Sequence, residues 1–165
     1  AENVIETSLN SANPIMHVPV TFFNITRIDN QEDYGFYDQG ATQKVFQYIS
    51  KADQERVAVA KAMGVKEESC LDIINSYWIK KYDTLYKAIK NNESYLKLKG
   101  PITFDHRFIT EDVPYGIAPM VRLGEKYGVD TPYLKSLLAM CYLIFDDGMI
   151  GQGPDFSAMD LEDFL

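Results

Sequence analysis

The chain has two histidines, His17 and His106, and each stands among side chains able to hydrogen-bond an imidazole. His17 lies in LNSANPIMHVPVTFFN, residues 9–24. Read at helical period, Asn10, Asn13, His17, Thr21 and Asn24 form one stripe. Ile5, Leu9, Ala12, Met16, Val20 and Phe23 form an apolar one. A stripe facing open solvent would carry Lys and Glu; amides and imidazole suit a wet cleft where hydrogen bonds are aimed. The competing reading is a histidine buried beside a proline kink and bonded to a freed carbonyl. The second cluster is Asp105, His106, Arg107, Glu111 and Asp112, between Gly100–Pro101 and the Pro114–Gly116 turn. It is either a charged surface loop or a site built on a loop. In the latter case a carboxylate such as Asp112, bonded to one nitrogen of His17, would fix the tautomer and stabilise the protonated ring. Arg107 offers a planar fork for a carboxylate ligand. Anchor, proton donor and orienter together make a site for reducing a keto acid.

Other chemistries lack their residues. GMIGQG at 148–153 has the wrong glycine order for a dinucleotide fingerprint and no strand–helix context. There is no P-loop, nucleophile elbow or zinc spacing. Cys70 and Cys141 stand alone in apolar sequence, as buried reduced thiols of a cytoplasmic chain do. A net charge of −8 and a pI near 4.7 speak against nucleic acid and anionic membrane as partners. No apolar run is long enough to span a bilayer.

The elements that would position these groups are helical. Residues 4–28 read as one kinked helix, because Pro14 and Pro19 cannot donate to the carbonyls of Asn10 and Ile15. Asn13 could cap a restart with Pro14 as its first residue. Residues 29–40 are a loop, and residues 42–63 an amphipathic helix stopped by Gly64. Ser69 to Asp72 resembles a capping box for a helix carrying Leu71, Ile74 and Trp78. Asp83 or Thr84 starts a short helix ending near Asn91. Residues 94–105 are loop-like and residues 107–116 dip toward a turn. Residues 118–127 form a short helix before Gly128. Thr131–Pro132 starts the last helix, whose wide apolar arc (Leu134, Leu137, Leu138, Cys141, Ile144, Phe145) suits a central packing element. The expectation is an all-α domain of six to eight helices over residues 1–150, with a mobile acidic tail over 151–165.

The chain resembles the C-terminal helical domain of the octopine/nopaline (opine) dehydrogenase family, which is 6-phosphogluconate dehydrogenase C-terminal-like in fold. The carriers are Asn13–His17–Asn24, GFYDQG at 35–40, DQER at 53–56 before AMG, and above all RFITEDVPYG at 107–116. Where the family has His-Pro, this chain has His17-Val18-Pro19. The resemblance implies a preceding Rossmann domain, absent here, that binds NAD or NADP. It also implies reductive condensation of an amino acid with a 2-keto acid. His17 would be the acid/base, Asp112 its partner and Arg107 the clamp on a substrate carboxylate. Trp78 would be an aromatic wall for the amino acid, against a plain reading as core. Asn13 would orient the chemistry, against a plain reading as a helix cap. By itself this piece is expected not to turn over, since the hydride donor belongs to the missing domain. Two alternatives stay open: a helical dimerisation or interaction module, including a homodimer, with a degenerate site, and a sister domain acting on a hydroxy acid or sugar phosphate. Several such sisters carry lysine where this chain has His17.

Overall fold

The computed structural model describes residues 2–145, 148, 150–161 and 164. Glu162, Asp163 and Leu165 of the expected tail, and Met149 of GMIGQG, lie outside them. Among the described residues the chain is helical, and its one β contact is an isolated antiparallel bridge between Gly35 and Lys99. No described helix is long and apolar enough to cross a membrane.

The first segment is three helices rather than one kinked helix: α1 (Val4–Leu9), α2 (Asn13–Phe22) and α3 (Ile25–Asp29). The break falls at residues 10–12, just before Pro14, whose missing N–H makes it a good second residue of a new helix. Asn13 is the first residue of α2 and not its cap; Ala12 occupies the cap position without a side-chain bond. Pro19 sits inside α2, and the helix runs past it to Phe22. The polar stripe divides. Asn24 is buried and donates to Val20 O at 2.7 Å and Gly40 O at 2.9 Å. Thr21 is fully buried, its Oγ1 without a partner among the described residues. Only Asn10, Asn13 and His17 face a cavity.

The long helix α4 (Gln43–Ala62) is the scaffold. Thr42 Oγ1 accepts from Val45 N at its start, and Gly64 ends it at φ +72°. Val45, Phe46, Ile49, Ala52, Val59 and Ala60 are buried along it, against α2 on one side and the last helix on another. Next comes α5 (Cys70–Ser76), opened by the full Ser69/Asp72 capping box. It ends before Trp78. Thr84 caps α6 (Leu85–Lys90), and α7 (Glu93–Leu96) follows. Residues 107–116, expected to dip toward a turn, lie in one α-helical turn, α8 (Arg107–Thr110), and a π-helical turn (Val113–Ile117). The π-turn runs directly into α9 (Ala118–Lys126).

The last helix, α10 (Pro132–Ile144), is not the centre of the core. Leu134, Leu137, Leu138 and Cys141 face inward, but Tyr133, Met140, Leu143 and Ile144 are exposed. Its first turn is capped from α4: the Glu55 carboxylate accepts from the backbone N–H groups of Tyr133 and Leu134, both at 2.9 Å. Thr131, the expected cap, makes no side-chain cap bond. Both cysteines are buried and free.

Candidate active site

His17 projects from the middle of α2, and its Nδ1 meets Oδ2 of Asp112 at 2.8 Å, across 95 residues of sequence. The two side chains are 16% and 14% exposed, so the pair is shielded but not sealed. An ionised carboxylate only accepts, so Nδ1 carries the proton and donates it. The other ring nitrogen, Nε2, has no hydrogen-bond partner among the described residues. The imidazole stacks on Phe108 with centroids 4.0 Å apart and meets Phe36 edge-on at 6.0 Å. Those two rings fix its plane while Asp112 fixes its rotation.

Asp112 stands at the entry to the π-turn. The turn packs on α2 through Gly116, where a Cβ would lie 2.4 Å from Pro14 Cβ and Cγ, too close to exist. Pro14 is three residues before His17 on the same helix. Only glycine at 116 lets the segment bearing the acid approach the helix bearing the imidazole this closely. Such π-turns are frequent at functional sites, where they shift side chains out of α register.

Beside His17 lies a hollow of about 200 Å³, lined among others by Asn10, Asn13, Tyr37, Tyr77, Tyr95 and Leu98. Among the described residues, no Asp, Glu, Lys or Arg lines it. Tyr37 is buried, and burial holds its phenol far above the ordinary range, hence neutral. A shielded imidazole with one nitrogen anchored and the other free can protonate, or take a proton from, an oxygen held in such a hollow.

The five residues singled out from sequence take different places. His17 and Asp112 meet. Asn13 is exposed, lines the hollow one helical turn before His17, and makes no cap bond, so the capping reading fails. Trp78 is 41% exposed, which rules out a core role. It lines an adjoining hollow that shares Tyr77, and meets the ring of Tyr95 edge-on at 6.4 Å. Arg107 is not brought into the hollow; it is exposed on α8 and pairs with Glu111 at 3.4 Å. Sequence reasoning missed Phe36, Tyr37 and Phe108. Their signal was available: they are three of the four aromatic positions inside GFYDQG and RFITEDVPYG, the fourth being the exposed Tyr115. His106 caps α8 by accepting from Phe108 N at 3.3 Å, and burial together with nearby His17 lowers its pKa. Both histidines thus contact Phe108, His17 stacked on its ring and His106 edge-on at 4.4 Å.

The described residues contain no strand–glycine loop–helix unit to cradle a pyrophosphate. The fold and the site are those of a helical domain with a shielded imidazole–carboxylate pair beside a small hollow. The family model of the alpha-helical domain of NAD/NADP octopine/nopaline dehydrogenase matches residues 1–145, and the chain belongs to this family. It is 30% identical over 160 residues to the opine dehydrogenase of Arthrobacter sp. (strain 1C), covering 97% of this chain and 45% of that enzyme. It is 25% identical over 126 residues to the protein ocs of Agrobacterium vitis, covering 76% and 35%. Among solved structures, octopine dehydrogenase with NADH and L-arginine shares the fold at a TM-score of 0.74 and 23% identity, over 88% of this chain and 41% of that one. The chain therefore spans less than half the length of these relatives.

Proposed function

We propose that this chain is the substrate-binding and acid/base half of an NAD(P)-dependent opine-type dehydrogenase. Such an enzyme condenses the amine of an amino acid with the carbonyl of a 2-keto acid, expels water and reduces the resulting imine. The observation that carries the reading is the 2.8 Å bond from His17 Nδ1 to Asp112, which leaves Nε2 without a partner among the described residues, with His17 lining a solvent-open hollow. A nicotinamide held by a nucleotide-binding domain would supply the hydride. NAD is supported by the relative solved with NADH, and NADP by the family's description.

Within this chain the work is proton handling and placement. Protonated at Nε2, His17 donates to the keto-acid oxygen as the amine attacks, takes back the proton that the attacking nitrogen sheds, and delivers it to the carbinolamine oxygen, which leaves as water. Asp112 stabilises the imidazolium and blocks ring rotation. Asn13, one turn before His17, offers an amide to orient the reacting oxygen. Arg107 is exposed at the start of the helix that carries Phe108, so its fork is free to leave Glu111 for a substrate carboxylate. Trp78 and Tyr95 form an aromatic wall at the outer edge.

His17→Gln in the enzyme carrying both domains tests this. The rate is expected to fall by roughly two to four orders of magnitude, the usual worth of a general acid–base group, with the melting temperature nearly unchanged. If the domain were an interaction module with a vestigial cleft, turnover would be untouched and only assembly or stability would move.

A further inference from the structure

The segment that carries Asp112 is poorly equipped to hold its own shape. Residues 107–117 comprise one four-residue α-turn and one five-residue π-turn, too short to be stable without packing on both faces. One face is accounted for by Gly116 on Pro14 of α2. The other is covered by the C-terminal residues, which composition reads as a tail.

Residues 150–161 lie along α9 and the π-turn. Ile150 and Leu161 are buried at its two ends. Between them the backbone is laced down by side chains from the helices: Tyr142 Oη donates to Gln152 O at 3.2 Å, and Arg122 donates to Pro154 O. Lys126 Nζ donates to Phe156 O at 2.9 Å and Met159 O at 2.5 Å. Gly153 is the point of contact with the π-turn. It sits at φ +73°, and a Cβ there would fall 1.9 Å from Pro114 O and 2.9 Å from Pro114 C. Pro114 is two residues after Asp112. The π-turn is thus gripped between two glycine contacts, Gly116 inside and Gly153 outside, neither of which admits a side chain.

We propose that residues 150–161 are a positioning strap: by bearing on Pro114 through Gly153, they hold Asp112 within hydrogen-bond reach of His17. The strap touches no substrate and acts only through the carboxylate. The inference rests on the proposed acid/base role only for its consequence in turnover; the positioning itself is independent of it.

The test is nitrogen NMR of the histidine rings in the 165-residue chain. In the parent, His17 is expected as the Nδ1–H tautomer, with a ring proton slow to exchange with water. Gly153→Ala should speed that exchange by about tenfold or more and mix the tautomers, because the strap must lift off Pro114. Gly128→Ala is the control: Gly128 has φ +71° and open space around its Cβ position, so it shares the backbone strain without the collision. It should leave the His17 signal unchanged. Lys126→Met removes two strap bonds from the outside and should give a smaller change in the same direction; if Gly153→Ala does not fold, Lys126→Met decides. Unaltered tautomer and exchange in the folded strap variants, or an equal change in Gly128→Ala, would overturn the proposal. In the two-domain enzyme Gly153→Ala should lower kcat several-fold with KM near the parent value. An NMR change without a kcat change would uphold the strap and sink the acid/base reading instead.

Discussion

Two shielded ion pairs lie within a few residues of the same hollow, and they are built on opposite principles. Arg56 is fully buried in α4. Its Nε and Nη2 donate to Asp53 Oδ1 at 2.9 and 2.7 Å; Nη1 donates to Leu9 O and Asn10 Oδ1, and Nη2 also to Glu68 O. The remaining oxygen of Asp53 accepts from Cys70 N at 2.8 Å. Each arm of the guanidinium is used, tying α4 to the end of α1 and the start of α5. His17 and Asp112 are shielded but not sealed, and the second imidazole nitrogen has no hydrogen-bond partner among the described residues. A saturated buried charge specifies structure, since any missing partner is costly. A charge pair left incomplete on one side is available for chemistry. The two are coupled: Asn10, held by Arg56, lines the hollow that His17 faces.

The comparison breaks if the two pairs respond alike. Arg56→Met is the largest expected effect: it strands Asp53 and leaves two backbone carbonyls unsatisfied, and should cost about 3–5 kcal/mol in urea or thermal unfolding. A loss below about 1 kcal/mol would show that the knot is not what joins these helices. Asp112→Asn should do the reverse. It removes the charge that stabilises imidazolium while keeping size, so stability should change by less than about 1 kcal/mol. The rate of the two-domain enzyme should drop by roughly 10- to 1,000-fold. If instead it unfolds the domain and Arg56→Met does not, the roles are exchanged.

His106 gives the smallest and most specific effect. As an acceptor capping α8 it is neutral in the folded state, with its pKa lowered chiefly by burial. A depressed histidine pKa means the unfolded chain binds the proton more readily. The contribution to stability is therefore complete above the unfolded value, near pH 6.5, and is lost as pH falls from there toward the folded value. His106→Asn keeps a cap acceptor but does not titrate. Between pH 7.5 and 5.5 its melting temperature should fall less than the parent's, by on the order of a degree. An equal fall in both would remove the histidine from the acid response.

Local signals were legible where one residue type decides a local geometry. Ser69 with Asp72, Thr84, Gly64 and Gly128 mark helix ends by side-chain acceptors or positive φ, and these expectations hold. The first segment was misread because a proline tells where a donor is lost but not whether the chain breaks or carries on. It broke before Pro14 and carried on through Pro19. The last helix was misplaced because an apolar arc on α10 says nothing of which part of it finds a neighbour. The pairing of His17 with Asp112 was legible through motif resemblance, whereas the exposure of Trp78 and the placement of Arg107 on an outer turn were not. They depend on where α5 ends and where α8 begins.

The sequence by itself determined an all-helical domain, its family and the identity of an imidazole and a carboxylate able to share a proton, because propensity, caps and motif chemistry act over a few residues. Tertiary structure decided which glycines bring those two groups together, which aromatic rings hold the imidazole, and that the acidic C-terminal residues bear on the turn beside Asp112. Close approach of backbones distant in sequence is set by packing, where a single Cβ is the difference between contact and collision.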